Sequence, residues 1–394
     1  MRRRRSPWLA ILLFAAVASP AAARGEFDTV IAFGDSLSDT GRVADMTFGL
    51  VPGEPYHAGR FSNGPVWSEQ LAGFFGHALL PSTQVGGTNF AAGGAMTDES
   101  GFVPSLTAQV EEYLGRRDAD TMPEPTEADL FLLWAGANDL LDGVSDPAQP
   151  ATHVDAAVQS LASAGARHVL VPNLPWPGRV PAVANDPDRD DEQYDAMTQS
   201  FNAELSSRLA VTQASFADLR IYQFDVASLL NAAFHDPQAF GFTYADAAVP
   251  GLDPLALGGS DVDVPENVND YIFFDDLHPT TAAHALLAEH ARQTLYLPGD
   301  MNLDGVVDTA DVAPFVQALT NPQAYEDQFG IAPDEVGDIN GDGAFDTADV
   351  APFVQLLVGG GSPSVPEPGS LALLGLGALA LLRRGRAGGG SAIG

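Results

Sequence analysis

The sequence predicts an α/β body with a parallel sheet covered by helices on both faces, followed by a small all-α unit built on a repeated acidic loop. Two observations predict this. Between residues 24 and 297, short apolar runs of strand character alternate with segments of helical period, the pattern of a parallel sheet with crossover helices. Further on, a loop of acids and glycine followed by helically spaced apolar residues occurs twice, 38 residues apart. The 394 residues have room for both units. A hydrophobic content of 45% lets the chain bury a core rather than stay disordered.

The elements follow in order. Arg2 to Arg5, an apolar run from Trp8 to Val17 and the small residues Ala21 to Ala23 read as a secretory signal over 1–23. The apolar run is too short to span a bilayer, which needs about 20 residues. Residues 24–297 suit one α/β domain. Its strand candidates are Thr29 to Phe33, Leu130 to Trp134, Val169 to Pro172 and Ile221 to Phe224. Helical patterns include Val154 to Ala164 and Tyr194 to Thr212. The repeat fills 298–358, a linker covers 359–364, and a sorting tail covers 365–386, leaving 387–394 as an end piece.

The formal net charge is −34, with 52 acids and 18 positive residues, every one of them Arg. Seven of these Arg lie in residues 1–23 and 383–394, which hold no acid. The part between is therefore more acidic than the total. This argues against nucleic acid or an anionic membrane as the main partner, because phosphate binding needs clustered cations. The absence of Cys rules out disulfides, thiolate zinc sites and a Cys nucleophile.

Four stretches of the body carry potential chemistry. In Phe33-Gly34-Asp35-Ser36-Leu37-Ser38 a strand ends at a Gly and a Ser follows where a helix could begin. Such a Ser meets free backbone N–H groups and the positive end of a helix dipole. In Asp275-Asp276-Leu277-His278-Pro279-Thr280, Asp275 and His278 stand three apart, so one turn brings carboxylate and imidazole together. The Asp would orient the ring and the His would take a proton from the Ser. Between them lie Asn89-Phe90-Ala91-Ala92-Gly93-Gly94-Ala95 and Gly136-Ala137-Asn138-Asp139. A Gly N–H and an Asn amide are what an oxyanion hole needs.

The four stretches in this order resemble the SGNH/GDSL esterase-lipase family across nearly all of 24–297. Gly59-Arg60-Phe61-Ser62-Asn63-Gly64-Pro65-Val66-Trp67 is similar to the branch that includes plant GDSL lipases. The resemblance implies a three-layer, flavodoxin-like fold and hydrolysis of carboxylic esters without a catalytic cofactor. It implies Ser36 as nucleophile, His278 as base and Asp275 as its orienter, with Asp276 the rival for the last role. It also implies an oxyanion hole of the Ser36 N–H, Gly93 and Asn138, with Gly94 as fallback. No Gly-x-Ser-x-Gly elbow occurs, which argues against the standard α/β-hydrolase.

In the repeat, Gly299-Asp300-Met301-Asn302-Leu303-Asp304-Gly305 recurs as Gly337-Asp338-Ile339-Asn340-Gly341-Asp342-Gly343. Oxygen side chains fall at loop positions 1, 3, 5, 9 and 12, with Gly at position 6. These are Asp300, Asn302, Asp304, Asp308 and Asp311, then Asp338, Asn340, Asp342, Asp346 and Asp349. Position 7, Val306 or Ala344, would add its carbonyl. An all-oxygen set of this spacing suits calcium, one ion per loop. Pro314 and Pro352 must lie in the first turn of the following helices or kink them. The pair resembles a type I dockerin. That resemblance implies either a cohesin-type partner or a purely structural calcium module.

The tail Val365-Pro366-Glu367-Pro368-Gly369, a short apolar segment and Arg383-Arg384-Gly385-Arg386 resemble a PEP-CTERM signal. That implies export in a Gram-negative bacterium and handling by an exosortase. The competing expectation is a non-catalytic, surface-displayed attachment protein that uses the dockerin-like module.

Overall fold

Strand β1 (Thr29–Gly34) is an apolar run that ends at a glycine, and all but its first residue are buried. In the computed structural model, residues 27–98, 101–119, 121–303 and 307–359 are described. The expected signal, linker and sorting tail, with Asp304 and Val306 of the first loop, lie outside them. Contacts divide the chain into two compact units that meet between Leu295 and Tyr296.

In the first unit, β1, β2 (Asp129–Trp134), β3 (His168–Pro172) and β4 (Arg220–Phe224) form one parallel sheet in that order. Thr29 to Gly34 pair in register with Asp129 to Trp134. Residues 88–92 run along the free side of β1. Thr88 accepts from the Ala32 N–H, and the N–H groups of Phe90 and Ala92 donate to Ala32 and Gly34. With this segment second in sequence, the spatial order becomes 2-1-3-4-5, that of flavodoxin-like sheets.

Both faces of the sheet are covered. All six residues of β2 are buried, as a sheet between helical layers requires. Side chains alternate along a strand, so Phe131 and Trp134 point to opposite faces. Trp134 packs edge-on against Trp67 of α1 (Trp67–Phe74), and Phe131 against Tyr113 of α2 (Leu106–Asp118). Short α3 (Ala137–Leu141) follows β2, and α4 (Ala148–Ser163) follows α3. Helix α4 packs on α2 and on the long α5 (Asp191–Ser215); after α6 (Val226–His235), α7 (Thr281–Leu295) packs on α1. Side chains of Ser105, Asp190 and Asp225 accept N–H groups at the starts of α2, α5 and α6, satisfying donors that a helix start leaves unpaired.

The second unit contains α8 (Val312–Thr320), α9 (Pro322–Phe329) and α10 (Val350–Gly359). Pro314 and Pro352 are third in their helices, within the first turn, where the missing N–H does no harm. Phe315 and Phe353, equivalent in the repeat, stack with ring centroids 4.2 Å apart and planes at 3°. Met301, Tyr325, Ile331 and Val336 complete the core around them. In each loop the position-12 carboxylate accepts two equivalent N–H groups. Asp311 takes those of Asn302 and Asp308, and Asp349 those of Asn340 and Asp346. In the second loop Asp338 accepts from Asp342 and Gly343, and Asn340 from Asp342. Among the described residues no three Asp, Glu or His side chains gather as a metal-holding group. The described geometry shows Asp311, Asp338 and Asp349 bonded to loop backbone.

Candidate active site

The site lies beyond the carboxyl ends of β1 and β2, beside the point where the sheet order reverses, where open α/β sheets hold their ligands. Gly34 ends β1 with φ 146°, and a Cβ there would collide with the Trp134 carbonyl. Only glycine allows the two strand ends this approach. Its N–H and carbonyl are both held by the Gln109 side chain of α2, at 2.9 and 2.8 Å. The chain then turns, with Asp35 Oδ1 accepting the Leu37 N–H at 3.0 Å.

Ser36 follows the turn and is nearly buried. Its Oγ is 2.9 Å from His278 Nε2. His278 Nδ1 is 2.8 Å from Asp275 Oδ2 and 3.0 Å from Oδ1. Asp275 Oδ1 also accepts the N–H groups of Leu277 and His278, at 2.8 and 2.7 Å. One turn of chain therefore closes on its own carboxylate. Burial pushes the Asp275 carboxyl upward, but His278 and the hydrogen bonds outweigh it and hold it below the usual range. Asp276 is exposed, whereas Asp275 is buried and bonds the imidazole. The Phe61 ring lies 5.2 Å from that imidazole.

Asp39 organises the glycine side. Its buried carboxylate accepts the N–H groups of Gly41, Arg42 and Val43, and also that of Gly93 at 2.9 Å. The Gly93 N–H, expected in the oxyanion hole, is thus spent on Asp39. A Cβ at Gly93 would also collide with the Phe61 ring. Gly94 is exposed with φ 81°, and its N–H has no hydrogen-bond partner among the described residues. Asn138 stands in the first turn of α3, and its Nδ2 donates to the Ala95 carbonyl at 2.9 Å. That bond ties the β2 end to the Gly93-Gly94 turn.

Ser36 and Asn138 line one pocket of about 70 Å³ together with Leu37, Leu140, Leu174 and Val180. The pocket is apolar apart from a few groups, as ligand sites tend to be. Asp35 lines it as well, and burial pushes its carboxyl up to about 6.

Several supporting residues escaped the sequence reading. Gln109 sits in a helix with no motif around it. Asn89 bonds the Ser38 carbonyl and Thr40, and Trp67 Nε1 bonds Ser38 Oγ at 3.0 Å. The Tyr56 hydroxyl reaches Asp275. Only Asn89 and Trp67 fall within stretches that the motifs had singled out.

Residues 30–291 match the model of GDSL-like lipase/acylhydrolases. The chain belongs to this family. It is 28% identical over 334 residues to the phosphatidylcholine-sterol acyltransferase of Aeromonas hydrophila, covering 72% of this chain and 95% of that one. It is 26% identical over 329 residues to the GDSL esterase/lipase EXL2 of Arabidopsis thaliana, covering 66% and 86%. With esterase EstA of Pseudomonas aeruginosa it shares 28% identity over 356 residues, covering 77% of this chain and about half of that protein (52%). Residues 364–387 match the PEP-CTERM protein-sorting motif, which indicates export to the cell surface of a Gram-negative bacterium. The family member is thus an exported carboxylic ester hydrolase, and the non-catalytic attachment reading is not favoured. No helix among the described residues is long and apolar enough to cross a membrane.

Proposed function

We propose that this hydrolase cleaves its ester through an acyl-enzyme on Ser36. Ser36 Oγ attacks the carbonyl carbon while His278 Nε2 takes its proton, and Asp275 holds the imidazole and balances its charge. The oxyanion that forms meets the N–H groups of Ser36 and Gly94 and the Asn138 amide. His278 returns the proton to the leaving alcohol. A water then attacks the acyl-enzyme, gives its proton to His278, and the acid leaves as Ser36 is restored. The apolar pocket beside Ser36 takes the acyl group. The observation that carries this reading is the continuous chain from Ser36 Oγ to His278 to Asp275, at 2.9 and 2.8 Å. Hydrolysis of p-nitrophenyl acetate by the full chain tests it. Loss of that activity in Ser36→Ala is expected, and an active Ser36→Ala protein overturns it.

The repeated loops, in this proposal, form a dockerin-like module over about 298–358 that binds two calcium ions for structural support. The donor set is all oxygen, which fits a hard cation. Asp300, Asn302, Asp304, Asp308 and Asp311 would hold one ion with the Val306 carbonyl. Asp338, Asn340, Asp342, Asp346 and Asp349 would hold the other with that of Ala344. Asp311 and Asp349 are fully buried carboxylates, and a cation would offset the cost of their burial. The ions would supply charge neutralisation and loop closure, with no part in ester cleavage. A cohesin-type partner is a separate expectation that a pull-down tests. The sorting tail would be the substrate of an exosortase, and 1–23 a cleaved signal.

A further inference from the structure

Tyr56 lies between β1 and α1, outside every motif that marks the family. Its side chain is buried and its hydroxyl donates to Asp275 Oδ2 at 2.6 Å, across 219 residues of chain. Asp275 Oδ1 is already committed to the N–H groups of Leu277 and His278. His278 Nδ1 lies nearer Oδ2, at 2.8 Å against 3.0 Å to Oδ1, and Tyr56 is the other partner of Oδ2.

Two further features fix the phenol. Its ring sits edge-on to Phe274, the neighbour of Asp275, with centroids 5.1 Å apart. It is also buried in a small apolar cluster with Val249, Leu252 and Val268. The chain just before it is fastened to the same region: Gly258 and Ser260 donate their N–H groups to the carbonyls of Leu50 and Glu54. A Cβ on Gly259 would collide with the Glu54 backbone, so this close seam needs glycine.

We propose that Tyr56 is a positioning residue for ester hydrolysis: its hydroxyl locks the Asp275 carboxylate, and through it the His278 ring that faces Ser36. The inference rests on the roles proposed above for Ser36, His278 and Asp275. A Tyr hydroxyl is suited to this task because it donates one hydrogen bond and stays neutral. Burial, with the nearby Asp275 charge adding to it, raises its ionisation well above the usual range, so it remains a donor. The hydroxyl also draws charge from the carboxylate that faces the imidazole. The other ionisable groups around this chain are Asp35, Asp253, Asp276 and His284. His284 is fully buried, and burial with His278 nearby pushes it down to about 3, so it stays neutral.

The test uses the full chain and p-nitrophenyl acetate. Tyr56→Phe keeps the ring and removes the oxygen. We expect kcat to fall about 5- to 50-fold with KM within twofold, and the acid limb of the kcat/KM profile to move to higher pH. In an Asp275→Asn background the same change should cost less than threefold, because its route through the carboxylate is already broken. An equal loss in both backgrounds, or an unmoved acid limb, overturns the proposal in favour of a merely structural hydroxyl. Phe274→Leu, which loosens the ring packing but keeps the hydroxyl, calibrates the structural loss if Tyr56→Phe melts early. Tyr56→Phe with wild-type rates beside a dead Ser36→Ala sinks this inference alone. An active Ser36→Ala sinks the mechanism beneath it.

Discussion

Ser36 and His278 are 242 positions apart in the chain, yet they meet at 2.9 Å. Asp311 reaches the Asn302 N–H across nine positions at the same distance. The first contact exists only because the sheet, the 88–92 segment and the turn before α7 come together. The second is made by one loop closing on itself. The difference is one of loop closure and of preorganisation. Long-range contacts cost more chain entropy to form and must be held by surrounding packing, which here is the buried sheet core. The local loop closes on its own backbone N–H groups over a few residues, and it gathers several acids in doing so.

The sharpest way to break this contrast is at Ser36. If the long-range triad is the working part, Ser36→Ala lowers kcat/KM for p-nitrophenyl acetate by about 10³-fold or more. The fold and its melting temperature should hardly move, because the change removes one oxygen and its hydrogen bond to His278. Next in size is Asn138→Ala, measured in the same assay. It removes one oxyanion donor and the anchor on Ala95, and a fall of about 10²- to 10³-fold in kcat is expected. A change within threefold would take Asn138 out of the oxyanion hole.

The two regions were also legible to different degrees. Strand candidates such as Leu130 to Trp134 lie within one residue of the observed β2, because a strand buried on both faces is a continuous apolar run. Helix α4 begins six residues before the expected Val154, since Pro150 and polar neighbours hide its first turns. Ser36, Asp275, His278 and Asn138 stood out by motif order, and the structure brings them together. The choice between Gly93 and Gly94 was not legible. It depends on which N–H the Asp39 side chain captures, and no spacing rule encodes that. Tyr56 and Gln109 were invisible for a similar reason: each reaches far along the chain, Tyr56 by one bond to Asp275 and Gln109 by two to Gly34, from a stretch without a pattern. In the repeat, loop positions were plain in the sequence, while the observed carboxylate bonds go to backbone N–H groups.

A third prediction concerns what the long-range site costs the fold. Asp35 is buried beside the nucleophile with its carboxyl pushed up to about 6 from 3.8 by burial. A carboxyl raised on folding contributes stability that is fully present below pH 3.8 and is lost as pH rises through about 6. At neutral pH the ionised group therefore burdens the fold by about 3 kcal/mol. Asp35→Asn, whose Oδ1 can still accept the Leu37 N–H, should be more stable than the natural chain at pH 7.5. By calorimetry the gain should shrink between pH 6 and pH 4. A gain that persists at pH 3.5 would mean that charge burial is not its cause.

The repeat supplies the smallest effect and the cleanest separation of the two regions. Calcium at about 100 times its dissociation constant should add about 2.7 kcal/mol to the stability of the module that binds it. The transition that moves should be that of residues 296–359. Asp349→Ala should abolish the second loop's share, because that carboxylate organises the loop through Ile339, Asn340 and Asp346. The rate of p-nitrophenyl acetate hydrolysis by the full chain should stay the same in calcium and in EDTA at a temperature where both units are folded. A rate that falls with EDTA would show that the local loops reach the long-range site. A melting curve indifferent to calcium would mean that the backbone bonds to Asp311 and Asp349 close the loops by themselves.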